Sequence, residues 1–206
     1  MKYIQISAIL ATAIIFSGCD AMSKFNNDTN SYDNKKFSVN KLKSAIDNGE
    51  VKDYSPENTK EENFLAVTNY IRSLNIKCDD SYGFSGPATP LKWDYNIEDA
   101  AQVHSDDMSN NNQLSHYGSD GSSPKERMQR FGYNGSRYGE NIAYIKKSDS
   151  YSNSDWLQAF DLWINSTDGH CSNLMSPNYK DTAMAESKKV ENGITTIYWT
   201  QNFGAK

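Results

Sequence analysis

The chain has 206 residues, of which 37% are hydrophobic and 23% charged, and a formal net charge of −5. That length suits one compact domain with a tail and is short for two. No basic block suggests nucleic acid, and the nucleotide-binding motifs GxxxxGKS/T and GxGxxG are both absent.

In chain order, the first segment is "MKYIQISAILATAIIFSGCD". It has a basic start at Lys2, an apolar run from Tyr3 to Phe16, and then Ser17–Gly18–Cys19. The run is too short to span a bilayer comfortably and ends in small residues, which reads as an export signal over 1–18. "FSGC" resembles a bacterial lipobox, with Cys19 as the lipidated (palmitate-type) first residue of the mature chain; Phe16 stands where Leu is usual. An ordinary signal peptide, with Cys19 incidental, is the other reading. From 19 to about 60 the chain is rich in Asn, Asp, Ser and Lys. Apart from a brief helix in "VNKLKSAI", it reads as a flexible polar tether to a domain spanning 61–206.

The domain opens with a helix in "EENFLAVTNYIRSLNIKC", where Phe64, Val67, Ile71 and Leu74 share one face. "DDSYGFSGPATP" is dense in turn residues and reads as a loop. A second helix lies in "DYNIEDAAQVHSDDMSNNNQ", with Ile97, Ala101, His104 and Met108 as its apolar stripe. His104 reads there as a hydrogen-bonded core histidine. "SSPKERMQRFGY" is a short helix with Ser123 as N-cap, Pro124 at its first position and Gly132 as stop. "SDWLQAFDLWINS" is another, burying Trp156, Ala159, Phe160 and Trp163. "DTAMAESKKVENGITTIYWTQNFG" alternates around "ENG" and reads as a hairpin. Helices would then make up most of the chain, with a small antiparallel sheet near its end: an α+β, three-layer arrangement.

Of the three cysteines, lipidation of Cys19 would leave Cys78 and Cys171. In an exported chain such a pair reads as a disulfide, a bridge contributing on the order of 4–5 kcal/mol in the chain-entropy model. Four polar residues do not fit the scaffold. His116 follows the second helix, Glu140 enters the apolar "YGENIAYI", and Ser166 and His170 follow the Trp-rich helix. Two histidines and a carboxylate are either a divalent-metal set, zinc above all, or a hydrogen-bonded cluster.

The segments "VTNYIR", "PLKWDYNIEDAAQVHSDDM", "LSHYGSDGSSPKERMQRFGY", "GENIA", "WINSTDGHCSNLMSPNY" and "YWTQNFG" occur in the order found in the CAP superfamily. That superfamily takes in cysteine-rich secretory proteins, antigen 5 and pathogenesis-related proteins, and this chain most resembles its bacterial SCP-like extracellular branch. The resemblance implies an α-β-α sandwich with a shallow cavity lined by two His and two acids. By motif these are His116, Glu140 and His170; the second acid has no match, and Ser166 stands near its place. It also implies a Cys78–Cys171 bridge beside His170. The chain departs from the family pattern at Thr182–Ala183 and at Tyr144–Ile145–Lys146, positions expected to border the cavity or the first hairpin strand. The functional expectation is a lipid-anchored module of the bacterial cell envelope that binds a lipid, glycan or protein, with weak Zn2+ or other divalent-cation binding in the cavity. The alternatives are a metal-dependent hydrolase with Glu140 as general base, and a purely structural envelope protein. No catalytic residue is otherwise assigned, and no nucleic acid is expected as partner.

Overall fold

The computed structural model describes residues 37–148, 152 and 155–206. The export signal and Cys19 lie outside the described residues, as does the first half of the expected tether.

The second half of that tether is part of the domain. Ser38 caps helix α1 (Val39–Asp47), its hydroxyl accepting the Lys41 N–H at 3.2 Å. Phe37, Leu42, Ala45 and Val51 are buried in the main core. The stripe is narrow and set among lysines, asparagines and acids, so mean polarity hid it. Only a helix face one residue wide needs to be apolar when the remaining faces meet water.

Helix α2 (Lys60–Ser73) starts with a capping box between Thr59 and Glu62, and buries Phe64, Val67 and Ile71. After the short strand β1 (Lys92–Trp93), Asp94 caps α3 (Tyr95–Asn111), which ends at Asn112 in the left-handed region (φ 52°). Ser123 and Glu126 box the start of α4 (Pro124–Arg130), and Gly132 (φ 89°) stops it. Then come β2 (Arg137–Lys147), α5 (Leu157–Ile164), α6 (His170–Met175), β3 (Asp181–Glu191) and β4 (Ile194–Ala205). The β3–β4 turn is Asn192–Gly193, both at positive φ (51° and 75°), the conformation a two-residue hairpin of this twist requires.

The sheet order is β1-β3-β4-β2, with β1 parallel to β3 and the other pairs antiparallel. The sheet is larger than expected, because "YGENIAYI" forms a full strand beside β4, pairing from Arg137↔Ala205 to Lys147↔Thr195. Side chains alternate between two cores. Ile142, Tyr144, Ala183 and Tyr198 pack in the clusters holding Ile97 and Met108 of α3 and Met128 of α4. Ala143, Ile145, Met184, Ile197, Trp199 and Phe203 face the core built from α1, α2, α5 and α6. The result is the expected α-β-α sandwich. β1 and β2 are its two edge strands, β2 paired on one side only, with β4.

Candidate functional site

Glu140 lies near the start of β2 with its side chain only 1% exposed. A carboxylate so buried needs partners. Arg127 of α4 meets Oε2 at 2.6 Å, and His116 Nδ1 meets Oε1 at 2.8 Å. Arg127 also donates to the carbonyls of Ser122 (2.7 Å) and His116 (3.1 Å), so one guanidinium ties the loop after α3 to the sheet. His104, buried as expected, donates from Nε2 to the Ser115 carbonyl at 2.8 Å. The same nitrogen is 3.7 Å from Glu140 Oε1. Burial lowers the pKa of His104, with opposing help from Glu140 outweighed.

His170 opens α6. Gly169 before it has φ +91°, a conformation that favours glycine, and the Tyr82 ring lies close enough to meet a Cβ there at 3.2 Å. The Cys78–Cys171 disulfide, Cα–Cα 5.6 Å and 93 residues apart, ties the next residue to the loop after α2. That loop also sends Asp80 to α6, where its carboxylate accepts the Ser172 N–H at 3.0 Å and the Ser172 hydroxyl. At the far end, buried Arg72 of α2 donates to the Leu174 carbonyl. Asn141 Nδ2 donates to the His170 carbonyl at 3.0 Å. His170 is therefore fixed by a covalent bridge, a borrowed cap and two side-chain clamps. The bridge explains why a Cys follows this His.

The His116 and His170 rings stack with centroids 6.4 Å apart and planes at 26°. Ser166 does not line the space between them. It is buried behind His170, 2.8 Å from Nδ1, and its oxygen accepts the Asp168 N–H at 3.0 Å. Burial, then the neighbouring His116, pushes the His170 pKa down to about 4, so its ring is neutral at neutral pH. Both histidines and Glu140 border a cleft of about 630 Å³ at the free edge of β2, with Tyr82, Tyr138 and Tyr179 among its walls. Gly139 lines it too; a Cβ there would sit 2.3 Å from the Tyr179 hydroxyl, so the cleft floor has no room for a larger residue. Tyr144–Ile145–Lys146 and Thr182–Ala183 are not among the cleft's lining residues. Thr182 and Ala183 are fully buried, so that departure lies in the core; Tyr144 and Ile145 are buried and Lys146 is exposed, away from the cleft.

The three expected metal ligands do come together, but not as one ligand set. Both Glu140 oxygens are engaged, one by a permanent cation. Among the described residues, no three His, Cys, Asp or Glu side chains stand where one ion could be held by all. The residues as arranged do not fit a three-ligand zinc centre. Arg127 is the participant that sequence reading missed. Its signal was faint: an arginine on the Met128 side of a short amphipathic helix, one of two in "KERMQR". Asp80 was missed as well, because a loop acid gives no sign of which helix it caps.

Against known proteins, the model of the cysteine-rich secretory protein family matches residues 65–203. An uncharacterized membrane protein of Bacillus subtilis, YlbC, is 31% identical over 147 residues, 71% of this chain. The chain spans about a third of that relative's length (35%). A crystal structure of an extracellular protein containing a SCP domain, from Bacillus anthracis, superimposes with a TM-score of 0.50 at 28% identity, covering 71% of this chain and 40% of that one. The motifs set out above, the α-β-α layers and the cleft with its two histidines and carboxylate all fall within or beside the matched region, and the chain belongs to the cysteine-rich secretory protein (CAP) family.

Proposed function

We propose that the chain is an extracytoplasmic, membrane-associated binding module whose cleft holds a ligand without turning it over. One observation carries the second half of this reading: the groups that hydrolysis would need are already committed. Glu140, the only candidate general base from sequence, is closed off by Arg127 and His116. A base must reach the proton it abstracts, and a carboxylate paired at 2.6 Å with a buried guanidinium already has that oxygen occupied. Ser166, the hydroxyl beside His170, is absent from the cleft lining. The location rests on the kinds of protein this chain resembles, one a membrane protein and one extracellular, and on the export signal expected over 1–18, just before Cys19. No helix among the described residues is long and apolar enough to cross a membrane; the attachment we favour is an acyl anchor on Cys19, on the strength of the lipobox-like "FSGC".

Two measurements test the reading. Cys19→Ala is expected to move the protein from the membrane fraction to the soluble fraction; protein still pelleting with membranes in high salt would remove the anchor. Incubation of the purified chain with a peptide library and with p-nitrophenyl esters, with and without zinc, is expected to give no turnover above buffer. Turnover by the wild type that is lost in Glu140→Gln would replace the binding reading with a hydrolase.

A further inference from the structure

We propose that His116 and His170 are held in opposite tautomers, so that the cleft presents a hydrogen-bond acceptor beside a donor, and that this pair recognises a neutral hydroxyl-bearing ligand, a saccharide ring. The inference rests on the binding-module reading and names the class of ligand.

The tautomers follow from the partners. A carboxylate can only accept, so the His116 Nδ1 at 2.8 Å from Glu140 carries the proton. In the neutral ring, Nε2 is then a bare acceptor. Behind His170, the Ser166 oxygen already accepts the Asp168 N–H. A hydroxyl has one proton to give, and among the described residues the acceptor for it is His170 Nδ1 at 2.8 Å. Nδ1 therefore accepts, and the proton of the neutral His170 sits on Nε2. The rings are stacked and border one cleft. A ligand hydroxyl can donate to one histidine while a neighbouring oxygen accepts from the other. The same tautomer leaves His170 Nε2 without the lone pair a metal requires.

The rest of the cleft narrows the ligand class. Its described lining contains no Leu, Ile, Val or Met; its apolar surfaces are the rings of Tyr82, Phe84, Tyr138 and Tyr179. A fatty chain or sterol would find no aliphatic wall. Its charges are few and mixed: Arg137 against Asp168, and a Glu140 already neutralised by Arg127. Tyr82 is 70% exposed, yet its backbone N–H is fixed by Asp80 at 3.1 Å and its ring stands over Gly169. That makes a stacking face beside the two imidazoles. An extended peptide adding to the free edge of β2 would need outward carbonyls. Those of Tyr138, Glu140 and Ile142 already accept from Tyr179 Oη (3.4 Å), Asn173 Nδ2 (3.2 Å) and Trp163 Nε1 (3.0 Å). About 630 Å³ suits one or two sugar rings.

The test has two arms on the full mature chain. Long-range proton–nitrogen NMR of the histidine side chains, at mildly alkaline pH, should show His116 protonated on Nδ1 and His170 on Nε2; the same tautomer on both would overturn the pair. Cellotetraose, chitotetraose and maltotetraose are then titrated while both rings are observed, and sedimentation with purified peptidoglycan separates a polymeric from a free source. At least one of these glycans should shift both rings or pull the protein down. Tyr82→Ala should weaken that binding about tenfold, the scale of one stacking contact, with Tyr82→Phe restoring it. If oleate or cholesterol vesicles shift the rings and no glycan does, the saccharide inference falls while the binding module stands. If neither glycans, lipids nor an envelope extract perturbs the cleft, both fall.

Discussion

A buried carboxylate is the residue on which the site turns. Glu140 sits with Arg127 on one oxygen and His116 on the other. Removing one member of such a pair costs far more than never having built it, because the survivor stays charged in a dry place. Arg127→Met is therefore expected to destabilise the fold by about 3–5 kcal/mol in urea denaturation. Arg127→Met with Glu140→Gln should recover much of that loss. A double variant no more stable than the single one would show that Arg127 matters through its carbonyl bonds and not through Glu140. At this scale the sequence is legible where chemistry is local. His104 on an apolar stripe reads as a core histidine, and Ser123-Pro124 reads as a helix start. It is illegible where the partner comes from elsewhere: Arg127 and Glu140 lie 13 residues apart on a helix and a strand, and a buried arginine looks like a surface one until the fold brings its acid.

Among elements, helices were legible wherever cap and stripe coincide, as at α2, α3 and α4, and the β3–β4 hairpin was legible from "ENG". α6 was not. It has six residues and no side-chain cap of its own, and it is stable because other elements supply its ends. That dependence predicts what opening the bridge does. Cys78→Ala with Cys171→Ala should lower stability by about 4–5 kcal/mol, the loop-closure term for a span of this length. Broadening of the His170 side-chain NMR signal should accompany it, with His116 little changed. An unmoved His170 would assign its placement to Asp80 and Asn141 instead. β3 is fastened to the core built from α1, α2, α5 and α6 by Glu186, which meets Lys60 at 2.8 Å and the Trp199 indole at 3.0 Å. Burial pushes its pKa up, but Lys60, Lys188 and Trp199 outweigh that and hold it below the ordinary 4.5. A depressed carboxylate contributes stability above its unfolded value and loses it as pH falls through the folded one. Wild type should thus lose more stability than Glu186→Gln as the pH drops below about 4.5, the unfolded glutamate range. Parallel acid unfolding curves for the two would remove Glu186 from the account.

Across the whole molecule, the largest departure from the sequence reading is where the domain begins. Composition placed its boundary near Glu61 because the preceding segment is polar on average. A packed helix requires only that its inward positions be apolar, and Leu42, Ala45 and Ile46 meet that on one side of α1. The Asn165 Nδ2 at the end of α5 reaches the Phe37 carbonyl at 3.1 Å, joining chain positions 128 apart. Leu42 is fully buried in the same core that backs Trp163 and Cys171. Through that core α1 supports the face of the sandwich carrying α6, and hence His170. A tether would be indifferent to substitution at Leu42. A core helix would not: Leu42→Ala should cost about 2–4 kcal/mol, the transfer term plus the cavity left behind. The measurement is the urea midpoint of the mature chain, with the exposed Lys43→Ala as control, which should lie within about 0.5 kcal/mol of wild type. A matching chain that starts at Glu61 should show the same loss or a larger one, and a raised amide exchange rate along α5. If Leu42→Ala and the shortened chain both melt as wild type does, the first helix is an appendage, and the boundary read from composition is the right one.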